Sequence, residues 1–284
     1  MAEYAKLTMR LALFQMNSGI EPAANAAALA AAVREAKAGD AAMLFTPEMS
    51  GMLDRDRKRA ADHLQTEAED QVLAAVREAA AEAGIWVHIG SLALRSDADP
   101  DRLVNRGFVI GDKGEIRARY DKIHLFDVDL DTGESWRESS IYDAGEAARI
   151  AETPLGILGL SVCYDLRFAD LYRSLSDAGA TLLAIPAAFT VPTGKAHWHV
   201  LMRARAIESA AFVVAAAQSG KHEDGRETFG HSLVVDPWGE VLLDMGEGTG
   251  IGFTDIDPAR LEDVRRRIPV LSHRRAFAAP ENAG

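Results

Sequence analysis

The chain has 284 residues, with 31 Lys+Arg against 43 Asp+Glu and a formal net charge of −12. That balance argues against nucleic-acid or anionic-membrane partners, because binding phosphates requires a basic patch. One cysteine excludes an intrachain disulfide and any multi-cysteine zinc or iron–sulfur centre, and a chain this long buries a large core without such staples.

Met1–Arg10 lacks a positive region followed by an apolar one, so it does not read as a secretion signal. No apolar run reaches the roughly 20 residues that span a bilayer. The best candidate, Ala206–Ala217, is broken by Glu208 and Ser209. A cytoplasmic protein is expected, and a single thiol suits that compartment.

In chain order, Leu11–Met16 reads as a buried strand and Pro22–Lys37 as an Ala-rich helix, with Pro22 suited to its first turn and Gly39 to its stop. Ala42–Thr46 is a short strand ending at Pro47-Glu48. Glu67–Ala83 carries Val72, Leu73, Val76, Ala79 and Ala80 on one helix face. Ile85–Leu94 is a strand, and Leu103–Ile110 with Glu115–Arg119 reads as a hairpin about Gly111–Gly114. Tyr120–Ala144 is polar and aperiodic, a long loop of the kind that carries function.

Ile157–Val162 and Thr181–Ile185 read as buried strands around a helix at Phe168–Ala178. A helix at Lys195–Ser209 and a strand at Ala211–Ala217 follow. Ser232–Asp236 and Glu240–Leu243 make a second hairpin, Gly246–Gly252 reads as a glycine-rich loop, and Pro258–Arg267 is the last helix. Alternating strands and helices indicate an α/β protein, and the hairpins make its sheets mixed. Phe108–Ile116 aligns with Leu233–Val241, which fits either two independent hairpins or an old duplication. No Pro/Gly/Ser-rich linker appears, so residues 1–284 are expected to form one domain, with a core over about residues 8–270 and a loose tail from Ile268.

Three segments carry reactive groups. Cys163 ends an apolar strand and precedes Tyr164-Asp165-Leu166-Arg167-Phe168. Such a strand-to-helix elbow exposes a nucleophile and frees backbone N–H groups for an oxyanion, although a lone cysteine is also a common core residue. Glu48 follows a strand end, where active sites of α/β proteins sit, but it also fits a solvated cap. Lys122 lies in Tyr120-Asp121-Lys122-Ile123-His124-Leu125-Phe126-Asp127 and by itself reads as a surface charge.

Together, Phe-x-Pro-Glu, Lys-x-His-Leu-Phe-Asp and Val-Cys-Tyr-Asp-x-Arg-Phe, in this order and spacing, resemble the nitrilase superfamily of carbon–nitrogen hydrolases. Thr193-Gly194-Lys195-Ala196-His197-Trp198, Arg203–Glu208, Gly230-His231-Ser232 and Val235–Gly239 extend the likeness over nearly the whole chain. Asp121 departs from it, standing where many relatives carry arginine. If it faced inward, it would favour the Lys122 ammonium.

The resemblance implies a four-layer αββα sandwich, a Glu48–Lys122–Cys163 triad with Glu138 as a second, positioning glutamate, and no cofactor or metal. It implies a small-molecule amide substrate and a homodimer or homotetramer in which the tail reaches a partner. Val214–Gln218, Gly220–His222 and His273–Arg275 point toward the deaminated-glutathione amidases, with ω-amidases and N-carbamoyl amidohydrolases as alternatives. Both of the first two groups are expected to cleave 2-oxo-acid amides with release of ammonia through a cysteine thioester. A catalytically silent scaffold and a thiol redox sensor are the rivals from other classes.

In the expected mechanism the Cys163 thiolate attacks, favoured by Lys122, while Glu48 handles protons and the Tyr164 N–H helps hold the oxyanion. Arg167 is the expected carboxylate anchor, unless it is tied to Asp165 or Asp170. Phe189, Thr190 and His197 complete the expected substrate-binding wall. His197 and His199, two apart, do not form a zinc pair on one helix face.

Overall fold

The computed structural model describes residues 8–129, 133 and 135–282. β1 (Met9–Gln15), α1 (Pro22–Ala38), β2 (Met43–Phe45), α2 (Arg57–Ala61), α3 (Gln71–Ala83), β3 (Trp86–Arg95), β4 (Leu103–Ile110) and β5 (Ile116–Asp121) come first. Two small hairpin strands, β6 (Asp127–Asp129) and β7 (Ser135–Arg137), precede β8 (Tyr142–Asp143). The second half holds β9 (Arg149–Thr153), β10 (Gly156–Leu160), α4 (Ala169–Asp177), β11 (Leu182–Ala184), α5 (Val191–Ser209) and β12 (Phe212–Ala215). It ends with β13 (Ser219–Lys221), β14 (Glu227–Phe229), β15 (Leu233–Val235), β16 (Val241–Asp244), β17 (Gly250–Ile256) and α6 (Pro258–Arg267).

One sheet runs β17-β1-β2-β3-β4-β5, with β8 beside β4; the other runs β16-β15-β12-β11-β10-β9. Strand periodicity decides the layering. Leu11, Leu13, Met43 and Phe45 share a core with Leu158, Leu160 and Leu182 of the other sheet. Ala12, Leu44, Val87 and Ile89 point the opposite way, into a core with Leu29 and Val33 of α1 and Val72 and Val76 of α3. On the second sheet Gly159 faces α4, where an added Cβ would stand 3.2 Å from Leu175, so the missing side chain lets the helix close in. The result is the αββα sandwich.

The two sheets repeat one topology. β1-β2-β3 and β10-β11-β12 are parallel triplets. Each is flanked by an antiparallel strand on one side and an antiparallel hairpin on the other. Both hairpins shift register at the residues that align in sequence, between Val109 and Ile110 and between Val234 and Val235.

Several boundaries differ from the sequence reading. Asp70 caps α3 by accepting from the Leu73 N–H, so the helix starts four residues after Glu67, whose carboxylate instead receives Arg106 and Arg119. Half of the supposed glycine loop is β17, which owes its conformation to pairing along all of β1. β9 went unread because only Ala151 of its five residues is buried. Within the expected long loop at Tyr120–Ala144, the described residues include the paired strands β6 and β7, and β8 beside β4. The tail is held by its own subunit as far as Arg274, which bonds Ser176 Oγ and pairs with Asp177.

Candidate active site

Glu48 sits just past the end of β2. Thr46 Oγ1 accepts from the Gly90 N–H at 3.2 Å, and Gln218 Nε2 donates to the Glu48 carbonyl at 3.0 Å. The turn is tight, and Met49 takes a left-handed φ of 56°. Gly90 is required beneath it, because a Cβ there would lie 2.2 Å from Thr46 O and 2.4 Å from Pro186 Cβ.

Lys122 follows β5. Its N–H donates to Asn105 O at 2.9 Å, and its carbonyl accepts from Gly145 at 2.8 Å, which carries the side chain inward. Buried Lys122 Nζ lies 2.9 Å from Glu48 Oε1 and 2.9 Å from Glu138 Oε2. The Phe126 N–H donates to Glu138 Oε2 and the Ala188 N–H to Glu48 Oε2. Asp121 faces away, clasping Arg106 at 2.6 and 2.9 Å, so it does not act on Lys122 as an inward charge.

Cys163 stands at an elbow with φ of 49°, and its N–H is bound to Pro186 O. Buried Asp165 fixes this elbow to the lysine-bearing segment. Its carboxylate accepts from the Val162 N–H, Tyr120 OH and the His124 N–H at 2.8, 2.7 and 3.0 Å. The Tyr164 N–H follows directly on the nucleophile in the first turn of this elbow, a donor position beside the thiol.

Burial works to raise the Glu48 carboxyl, but the Lys122 ammonium and hydrogen bonds from Cys163, Lys122 and Asn105 hold it below the usual carboxylate range. Burial works against the Lys122 ammonium, and Glu138 and Glu48 together keep it well above an ordinary lysine. Burial, then the Glu48 carboxylate, push the Cys163 thiol well above its ordinary value, against the opposing pull of Lys122. The resting site therefore pairs a neutral thiol with an ionised glutamate and a charged lysine. Lys122 favours the thiolate, as expected, but burial and Glu48 oppose it more strongly in the resting site.

These groups open onto a cavity of about 910 Å³. Tyr164, Arg167, Phe189 and Thr190 line it. Arg167 lies over the rings of Tyr164 and Phe189 and has no carboxylate partner among the described residues, so the ion pair with Asp165 or Asp170 is not formed. His197 is a correction. It is exposed and off the cavity wall, touching the site only through Arg167 at 3.2 Å.

The family model for carbon-nitrogen hydrolases matches residues 10–266. The chain belongs to the carbon–nitrogen hydrolase family. A deaminated glutathione amidase of Yersinia enterocolitica is 38% identical over 266 residues, covering 93% of this chain and 92% of the relative. The crystal structure of the Caenorhabditis elegans NitFhit protein superposes with a TM-score of 0.87 at 36% identity, over 94% of this chain and 65% of that one. An amidase from Nesterenkonia sp. AN1, described with acrylamide added at its active-site cysteine, superposes at 0.76 with 25% identity over 92% of this chain and 98% of that one. As a member of this family, the chain is an amidohydrolase acting on carbon–nitrogen bonds.

Sequence reasoning missed one residue of this hydrolase site. Asn105 Nδ2 donates to Glu48 Oε1 at 3.0 Å and to Glu138 Oε1 at 3.1 Å, bridging the two carboxylates. Its signal was a neutral polar side chain in the mostly apolar strand Leu103–Ile110, next to the partly buried Arg106, and it is fully buried.

Proposed function

We propose that this hydrolase cleaves deaminated glutathione through a Cys163 thioester, with Glu48 as proton carrier and Lys122 as electrostatic stabiliser. The observation that carries the chemistry is the buried Glu48–Lys122 ion pair at 2.9 Å lining the same cavity as Cys163. Glu48 takes the thiol proton as Sγ bonds to the amide carbon. The oxyanion is held by the Lys122 ammonium and the Tyr164 N–H, and losing one such donor typically costs on the order of 10²–10³ in rate. Glu48 then gives its proton to the departing nitrogen, the C–N bond breaks and a thioester remains. Water enters, Glu48 removes its proton, the C–S bond breaks and the proton returns to the thiol. Glu138 and Asn105 act as positioning residues.

The leaving group needs correction. In deaminated glutathione the scissile amide nitrogen belongs to the cysteinyl residue, so the products are 2-oxoglutarate and cysteinylglycine. Ammonia leaves only from a primary amide such as 2-oxoglutaramate. Deaminated glutathione carries a carboxylate at each end, and the cavity wall includes Arg167 and Arg57, which have no carboxylate partners among the described residues, whereas Arg95 on the same wall is occupied by the Leu64 and Ala61 carbonyls. A guanidinium suits such a partner because it can bind it bidentately. The ω-amidase substrate needs only one of them.

The test is 2-oxoglutarate release from deaminated glutathione and 2-oxoglutaramate side by side, with Cys163→Ala as control. A Cys163-dependent preference for deaminated glutathione supports the reading, and a preference for 2-oxoglutaramate moves it to ω-amidase. Turnover of neither, with peroxide oxidising Cys163 rapidly, favours the redox sensor. Arg167→Ala is expected to raise KM with little change in kcat, and an unchanged KM removes the anchor.

The reaction needs Cys163 as a reduced thiol, which is consistent with the cytoplasm as the proposed compartment. No helix among the described residues is long and apolar enough to cross a membrane. A homo-oligomer is proposed from exposed apolar side chains on α5 and the adjoining hairpin: Val200, Ile207, Trp238, Val241 and Leu242. Sedimentation should show a dimer or larger species, weakened by Ile207→Glu.

A further inference from the structure

Three residues far apart in sequence converge on the outer side of the second sheet. His199 is on α5, His231 lies between β14 and β15, and Asp244 ends β16. His199 Nε2 is 2.9 Å from Asp244 Oδ2, and His231 Nδ1 is 2.9 Å from Asp244 Oδ1. One ligand atom from each lies within 4.8 Å of the others, and none of the three lines the reaction cavity. We propose that His199, His231 and Asp244 form a site for a divalent transition-metal ion of the zinc class, separate from the reaction centre.

The chemistry favours such an ion. Two imidazoles and one carboxylate are ligands for zinc and for late first-row metals, and a three-residue set leaves a position open to water. Zinc bonds of about 2.0–2.2 Å place tetrahedral ligand atoms roughly 3.4 Å apart. The pairs across Asp244 are already closer than that, so binding requires only a small rotation of partly exposed side chains.

The surroundings hold the ligands in place. The Gly246 N–H donates to Asp244 Oδ1 at 2.9 Å. The His231 ring stacks on Phe229 at 4.4 Å, its carbonyl accepts from Trp198 Nε1, and its backbone takes a φ of 56°. The two histidine rings meet edge to face at 5.2 Å. All three side chains remain partly open to solvent, so an ion can enter. A bound ion would fasten α5 to β16 and to the turn before β15. It would thereby stiffen the support under Phe229, which packs against Gly194 in α5.

Zinc also binds thiols, so the test uses the full chain with Cys163→Ala to remove that competing site. Titration with zinc chloride against a chromophoric chelator is expected to show one equivalent per chain, and zinc should raise Tm. Cobalt(II) in its place should give visible d–d absorption. His199→Asn and His231→Asn, made in the same background, should each weaken binding by about tenfold or more through loss of one ligand. Their Tm without metal, compared with the parent's, shows that the fold survives. A site that stays empty at roughly 100-fold excess of zinc overturns the proposal. So does an equivalent that binds equally well to both asparagine variants, since the metal then lies elsewhere.

Discussion

Asn105→Ala tests whether the buried amide keeps the two glutamates in working order. Its Nδ2 is shared between Glu48 Oε1 and Glu138 Oε1, at 3.0 and 3.1 Å. Hydrogen bonds to charged groups contribute about 1.5–3 kcal/mol each. Water entering the space left by the amide recovers part of that, so about 2–3 kcal/mol is the expected loss in transition-state stabilisation. At about 1.4 kcal/mol per decade this lowers kcat roughly 30- to 150-fold. KM should change little, because Asn105 does not line the cavity. The Asn105 hydrogen bond is also one of the causes holding the Glu48 carboxyl low, so its removal moves the acid limb of the rate profile to higher pH. The assay is kcat and KM for 2-oxoglutarate release between pH 4 and 9, with Tm as a check on folding. A kcat within about threefold of the parent and an unmoved acid limb would refute the reasoning, since a purely structural asparagine has no cause to move that limb.

Other consequences follow from the same geometry. Gly90→Ala forces a Cβ against Thr46 O and Pro186 Cβ, so it should cost about 1–3 kcal/mol by overpacking and reduce kcat, because both Glu48 and Cys163 rest on those segments. Denaturant melts and kinetics measure this, and a fully stable, fully active variant contradicts the packing argument. Asp165→Ala strands the Val162 and His124 N–H groups and Tyr120 OH; with about 1–3 kcal/mol for each unsatisfied buried group, a loss of several kcal/mol is expected in denaturant melts. Iodoacetamide labelling of Cys163 should have a midpoint above the ordinary thiol value of about 8.5. Glu48→Gln should lower that midpoint by removing the adjacent negative charge. A parent midpoint below pH 7 would contradict the neutral resting thiol. The depressed Glu48 carboxyl contributes stability above its unfolded value of about 4.3, lost as pH falls through its folded value. The elevated Lys122 contributes below about 10.4 and loses this only as pH rises through its still higher folded value. In melts of Lys122→Met the stability gap to the parent should widen as pH rises above about 4.3, because burial then raises the Glu48 carboxyl with no ammonium to oppose it.

What could be read from the sequence was whatever a residue carries with its immediate neighbours. The strand ends before Glu48 and Cys163, and the hairpin ahead of Lys122, are local patterns, so all three were placed correctly on the scaffold. The shared hairpin motif was legible for the same reason, and the matching register shifts now show it as one topology used twice. What escaped was set by distant partners. β17 is a strand because β1 lies beside it, although its own glycines argue otherwise. Asp121 looked like a charge on Lys122, and strand alternation turned it to Arg106 instead. The histidines show the limit most clearly. His197 and His199 are close in sequence, yet α5 sends His197 toward Arg167 and His199 toward Asp244, where His231 arrives from another strand connection. The local spacing places His197 and His199 apart, while the juxtaposition of His199, His231 and Asp244 has no local signature at all. Glu48, Lys122 and Cys163 were legible because short motifs carry them; the hydrogen bonds that join them were not, because Asn105 and Asp165 acquire their partners only when two sheets close over one core.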